Sequence, residues 1–274
     1  ISDSHLGHSV TQTGAVAVLL DAGRALPLGC SATVHALVPL DPIEMTSRPV
    51  PVQDGHAPGS IVFTSGSTGM PKGVVQTADT LARGVDRVAQ AIGFTPDDIL
   101  LCPIPFAFDY GWGQLLSLLL QGMPMVLPQP RGAVGICDAI AAHRPTVLAG
   151  VPAVFADLLS GLAQVHQIDR SSIRLITNTG SRIPVPVHRA LCEAFPQAAL
   201  SLNYGLTETY RSATLPLAMA VQYPTSVGYA LPGSTLSVLR ADGTGIPPGS
   251  SELAEACKAV ADEAGNGAAE HRAA

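Results

Sequence analysis

The 274-residue chain is short of charge. Asp, Glu, Lys and Arg make up 13% of it, about half of ordinary usage. With 47% hydrophobic residues, much of the chain is expected in an interior or an interface, and the length is enough for a large buried core. A formal net charge of −6 and the lack of any lysine- or arginine-rich block exclude the broad basic footprint of a nucleic-acid binder. Cys30, Cys102, Cys137, Cys192 and Cys257 are odd in number, scattered and without CxxC spacing. That pattern argues against a disulfide framework or a zinc site and fits a reduced cytoplasm. No apolar run reaches the roughly 20 residues needed to cross a bilayer. The most apolar stretch, Leu115 to Leu127, is broken by Gln121, Gly122 and Pro124, so no membrane span is expected. The first residues, Ile1 to His5, carry neither an initiator Met nor a secretory signal, and the true start is expected upstream.

What is present is an alternation of apolar β-like runs and helical patterns. Ile99 to Cys102 precedes a helix-like stretch from Gln114 to Gln121, and Pro124 to Leu127 precedes one from Val134 to His143. Thr146 to Val151 leads to Ala153–Ala163, and Ile173 to Thr177 leads to Val187–Phe195. Ala199 to Leu202 then runs into Asn203-Tyr204-Gly205-Leu206-Thr207-Glu208-Thr209. The expectation is an α/β fold with mostly parallel sheets flanked by helices and sites beyond the carboxyl ends of the strands. There is no internal repeat. His143, His166 and His188 lack metal-ligand spacing and read as solvated or core histidines.

One segment points to chemistry. After the apolar run Ile61 to Phe63 comes Thr64-Ser65-Gly66-Ser67-Thr68-Gly69-Met70-Pro71-Lys72-Gly73-Val74, followed by an amphipathic segment from about Thr77 to Ile92. Glycines allow unusual backbone, hydroxyls and N–H groups can surround phosphate oxygens, and Lys72 adds a cation. It is not a Walker A loop, because Pro71 precedes Lys72 and Gly73 follows it. Composition alone would more often mark a plain surface loop, but the order of the residues is far more restrictive.

The order of residues resembles the phosphate loop of the adenylate-forming superfamily, which includes acyl-CoA ligases and the adenylation domains of peptide synthetases. Asn203 to Thr209 resembles that family's second signature, and Ser226-Val227-Gly228-Tyr229-Ala230-Leu231-Pro232-Gly233 resembles the segment that follows it. The likeness runs from about Ala15 to Gly249, and implies a partial large domain of an AMP-forming acid–thiol ligase. By resemblance, Thr64, Ser65, Gly66, Ser67, Thr68, Gly69 and Lys72 would hold ATP phosphates. Tyr204 would stack on adenine, Thr207 would bind phosphate and Glu208 would hold Mg2+. Asn178-Thr179-Gly180-Ser181-Arg182 resembles the adenine-lining segment, although Ser181 and Arg182 stand where relatives commonly have small residues. A structural turn is the alternative there. Pro105 to Gly111 resembles the substrate-side motif. Phe108 would separate the acyl pocket from the thiol tunnel, and Asp109 would pair with an α-ammonium if the acid is an amino acid, or else cap a turn. Tyr204 to Ser212 together with Phe108 to Gly111 is most similar to exosortase-associated ligases, while Tyr210 and Arg211 read as pocket-wall or salt-bridge residues.

The resemblance implies a small-molecule carboxylic acid as substrate, with CoA or the phosphopantetheine arm of an acyl or peptidyl carrier protein as acceptor. Beyond Gly249 the family continues into a ribose-binding Asp and a mobile domain with a second catalytic Lys, and neither is visible in Ser250 to Ala274. The expected organisation is residues 1–249 as a partial adenylation domain and 250–274 as a tail with a short helix and then disorder. The alternative to an enzyme is a truncated, non-catalytic nucleotide-binding remnant or pseudoenzyme.

Overall fold

The computed structural model describes residues 2–21, 25–27, 29–37, 54–64, 70–161 and 164–246. They fall into two compact units, residues 1–79 and 80–274.

The first unit opens with helix α1 (Asp3–Thr13). Ser2 Oγ accepts from the N–H of His5 at its start, and Gly14 closes it in the left-handed region. Its buried Leu6 and Val10 pack with Leu20 of strand β1 (Ala17–Asp21), which runs parallel to β2 (Thr33–Leu37). Strands β3 (Pro58–Thr64) and β4 (Lys72–Thr77) form an antiparallel hairpin whose last register pair is Thr64 opposite Lys72. The apolar run Ile61 to Phe63 falls in β3, whereas β4 occupies a stretch expected to lead directly from the loop into the helix. Strand β4 is largely exposed, with Gln76 its one buried residue, so its hydrophobic alternation is weak. Ser65, Gly66, Ser67, Thr68 and Gly69 lie outside the described residues, as does the expected tail beyond Gly249.

Helix α2 (Ala78–Ile92) leads into the second unit. There the chain runs through β5 (Leu100–Leu101), α3 (Asp109–Gln121), β6 (Met125–Val126), α4 (Ala133–His143), β7 (Val147–Gly150) and α5 (Pro152–Leu158). It continues through β8 (Leu175–Asn178), α6 (Val185–Ala194), β9 (Ala199–Tyr204), β10 (Ala213–Leu215) and β11 (Tyr229–Ala230). The seven strands lie in the order β11-β10-β9-β8-β7-β5-β6. Strands β5 to β9 are parallel, and β10 and β11 add antiparallel pairs at one edge.

Side chains alternate across a strand, and that alternation splits the core in two. Leu100, Val147 and Leu175 pack on one face with Val85, Val88 and Ile92 of α2. Their chain neighbours Leu101, Leu148 and Ile176 pack on the other with Ile136, Ile140, Phe155 and Leu191 of α4 to α6. Helices therefore cover both faces, as the β/α alternation implied.

The amino ends of the strands are tied together. Asp98, buried before β5, accepts from Arg174 Nε (2.7 Å), just before β8, and from Thr146 Oγ1 (2.6 Å), just before β7. A second, shorter contact joins Arg174 Nη2 to the other carboxylate oxygen. Burial pushes this carboxyl up, but the hydrogen bonds from Arg174, Thr146 and Thr95 outweigh it, and its pKa is lowered.

Two helices depart from their expected bounds. Helix α3 begins five residues before Gln114, because Gly111 and Gly113 interrupt the apolar pattern of its first turns. Gly111 is required there, since a Cβ would lie 2.2 Å from the Pro105 carbonyl oxygen. Helix α5 stops at Leu158, where Ser160 and Gly161 break the pattern expected to run to Ala163. His143 and His166 are exposed and His188 is buried.

Candidate active site

In the first unit the described part of the phosphate loop is its stem. Thr64 is half-buried, Lys72 is exposed, and as register partners they hold the two ends of the 65–69 segment side by side. His8 Nε2 of α1 lies 3.1 Å from the carbonyl oxygen of Pro71, next to Lys72.

In the second unit a cavity of about 380 Å³ opens at the carboxyl ends of four parallel strands. The segment after β5 contributes Phe108, Asp109 and Tyr110, and the one after β7 contributes Val151 and Val154. Thr179 and Gly180 come from the end of β8, and Gly205 to Thr207, Tyr210 and Arg211 from the turn after β9. Of the residues singled out in the sequence, Phe108, Asp109, Gly180 and Thr207 thus meet at one cavity. Tyr204 stands half-buried at the end of β9 outside its lining, and Ser181, Arg182 and Glu208 are exposed.

Hydrogen bonds fix both turns. Asn203 Nδ2 donates to the carbonyl of Asn178 (3.0 Å) and to Thr177 Oγ1 (3.1 Å), and Asn178 Nδ2 donates to the carbonyl of Ser181 (3.0 Å). The 178–182 turn and the segment carrying Tyr204 are thereby bound to each other. Asn178 Oδ1 is buried and has no partner among the described residues, leaving an acceptor beside Gly180. Thr209 Oγ1 accepts from the N–H of Leu206 and from Ser212 Oγ, and the N–H of Ser212 returns to the carbonyl of Tyr204 at 2.9 Å. The chain crosses so closely over Gly205 that a Cβ there would lie 2.2 Å from the Tyr210 carbonyl oxygen.

Tyr210 sits in the left-handed region at φ 58°, a conformation a bulky residue adopts only when its surroundings enforce it. Burial pushes its phenol up to about 12. Beside it the buried Arg211 guanidinium stacks on two rings, 4.8 Å from the Tyr110 centroid and 5.7 Å from that of Tyr210. Tyr110, which has no role of its own within the 105–111 motif, and Tyr210 and Arg211, expected as pocket-wall or salt-bridge residues, all line the cavity. Arg211 forms no salt bridge among the described residues. A cation set directly behind a signature in so uncharged a chain was the signal to follow.

Among the described residues no three His, Cys, Asp or Glu side chains cluster as a metal cage. The exposed carboxylate of Glu208, one residue from Thr207, suits a cation held by one carboxylate and the phosphates of a nucleotide, which is how Mg2+ commonly sits. Among the described residues no helix is long and apolar enough to cross a membrane.

The AMP-binding enzyme family matches residues 5–254. The chain belongs to that family. Among relatives of this AMP-binding family member, 4-coumarate-CoA ligase 1 of Narcissus pseudonarcissus is 31% identical over 166 residues, covering 59% of this chain and 30% of that protein. Gramicidin S synthase 2 of Aneurinibacillus migulanus is 27% identical over 227 residues, covering 78% of this chain and 5% of that protein. The chain thus spans a third or less of these curated relatives. Among solved structures, VinN superposes with a TM-score of 0.77 at 23% identity, covering 91% of this chain and 64% of VinN. O-succinylbenzoate coenzyme A synthetase from Bacillus subtilis in complex with AMP gives 0.74 at 23% identity, covering 91% and 51%. These likenesses establish the fold of the large domain of adenylate-forming enzymes.

Proposed function

We propose that residues 1–249 form the nucleotide- and acid-binding part of a ligase that activates a carboxylic acid with MgATP and passes the acyl group to a thiol. The observation that carries this reading is the convergence of Phe108, Asp109, Gly180 and Thr207 on one cavity at the carboxyl ends of the strands in a member of this family. In the first step a substrate carboxylate oxygen attacks the α-phosphorus of ATP, the bond to the β-phosphate oxygen breaks, and pyrophosphate leaves an acyl-adenylate. In the second a thiolate of CoA or of a phosphopantetheine carrier attacks the acyl carbon and AMP leaves.

The chain's own residues position and neutralise. The segment from Thr64 to Gly69 and Lys72 would hold the β- and γ-phosphates, and Thr207 would donate to a phosphate oxygen. Tyr204 would stack on adenine beside the Gly180, Ser181 and Arg182 turn. Glu208 would hold Mg2+, which when bound neutralises charge on the phosphates. Phe108, 63% exposed at the mouth of the cavity, would partition acid from thiol. Asp109, half-buried in the wall, would take the ammonium of an amino acid substrate. The stretch from Tyr204 to Ser212 supports a finer placement among exosortase-associated ligases, and the cysteine pattern supports a cytoplasmic setting.

The test is mass-action stabilisation of the 274-residue chain by MgATP. Lys72→Ala should weaken ATP binding by roughly tenfold or more, the worth of one charge-assisted phosphate contact. Lys258→Ala, beyond the proposed domain, should leave it unchanged. Equal ATP binding by the two variants would refute the assignment.

A further inference from the structure

Arg211 has no task in adenylation or thiol transfer, yet the fold buries it. The side chain is 7% exposed, forms no hydrogen bond or ion pair among the described residues, and leaves its Nε buried without a partner. A guanidinium cannot shed its proton, so burying it without an anion is unfavourable unless something completes the site. Its Cζ lies over the rings of both Tyr110 and Tyr210. Contact with a ring does not use up the N–H donors, which lie in a fork that matches a carboxylate. Arg211 lines the cavity together with Phe108, Asp109, Val151, Val154, Thr179 and Thr207, and also borders a smaller one of about 170 Å³ among Thr80, Arg83, Arg87 and Ser234. Apolar walls strengthen a charge pair formed between them.

We infer that the acid accepted in this cavity carries a second carboxylate, which Arg211 binds while the first is presented for activation. The inference rests on the ligase reading and names the substrate class of that same pocket. A simple fatty or aryl acid would bring no second anion to the guanidinium, and Asp109 in the same wall forms no ion pair with it among the described residues. Phosphate is the other anion at hand, but the cavity's aliphatic and aromatic lining suits a carbon skeleton better than a triphosphate. Asp109 borders the same cavity, so an amino group on such an acid would meet a carboxylate.

The experiment is calorimetric titration of the full chain with succinate, glutarate, adipate, L-aspartate and L-glutamate, each against the monocarboxylate of the same skeleton. At least one diacid should bind roughly tenfold tighter than its partner, as expected for a paired guanidinium–carboxylate contact. Arg211→Met should reduce that preference to within about twofold, and Arg211→Lys, which keeps the charge and loses the fork, should fall between. Arg211→Lys also serves if the Met variant fails to fold, as read by circular dichroism. If no diacid outbinds its partner, or if the preference survives both substitutions, the inference is overturned. MgATP stabilisation is measured alongside. Its absence with the diacid preference intact would sink the ligase reading alone. A loss of ATP binding in Arg211→Lys with diacid binding unchanged would assign Arg211 to phosphate and overturn the inference.

Discussion

The phenol oxygen of Tyr110 donates a 2.8 Å hydrogen bond to the carbonyl of Thr177, joining the first turn of α3 to β8. Burial pushes the Tyr110 phenol up to about 12, with Arg211 and the Thr177 bond pulling it only partly back. Tyr210 is also raised to about 12, again chiefly by burial. The unfolded chain releases these protons near pH 10, whereas the folded chain keeps them until about 12. Stability should therefore be intact below pH 10 and fall between pH 10 and 12, by about 1.4 kcal/mol per pH unit for each phenol. Urea titrations from pH 8 to 11 measure this. Tyr110→Phe should cost about 1 kcal/mol at pH 8 and make the alkaline decline shallower. An unchanged slope would remove Tyr110 as its source.

The Asp98 network gives the opposite sign. Its lowered pKa means that the stabilisation is present above the unfolded value of 3.8 and is lost as pH falls below it through the folded value. Asp98→Asn should cost about 2 kcal/mol at pH 7, less than breaking a fully buried pair because the Arg174 side chain is 42% exposed. The variant's acid unfolding should also be less steep below pH 4. If wild type and variant lose stability in parallel on acidification, the network is not the titrating element.

Glu208→Gln removes the charge of the proposed Mg2+ ligand at an exposed turn position and should leave the fold within about 0.5 kcal/mol of wild type. The Mg2+ concentration giving half-maximal ATP stabilisation should rise on the order of tenfold. Thermal melts at fixed ATP and varied Mg2+ read this directly. A curve that superposes on wild type would take the cation away from Glu208.

Gly205→Ala places a methyl group against the Tyr210 carbonyl, so the turn must move. The expected cost is about 1–3 kcal/mol, together with loss of the diacid preference proposed for Arg211. Gly245→Ala, where nothing lies within 4 Å of the added atom, should be near neutral. Equal stability of the two variants in denaturant titrations would mean that the Gly205 crossing is not tight.

The fold was legible because its evidence is local. Leu100 and Leu101, Val147 and Leu148, and Leu175 and Ile176 are short apolar runs buried on both faces, and they stand out in sequence between helical patterns. Strand β4 was not legible, since an exposed strand shows little alternation. That Thr207, Asp109 and Gly180 line one cavity was legible because each lies in a signature next to a strand end. Arg211 was only half seen, because its significance lies in what surrounds it. Tyr110 is distant in sequence, and no spacing rule reports that two rings close on a guanidinium without an ion pair among the described residues.

The seven-stranded sheet ends on strands of two residues at both edges, β6 and β11. Pro124 stands directly before β6, with Pro128 and Pro130 soon after it. An unpaired edge is a template on which another chain can add a strand, and prolines and short edges remove the row of donors such growth needs. At high concentration the described residues of this sheet thus offer edge-to-edge polymerisation only two residues on either side, so fibrillar growth has little backbone to copy.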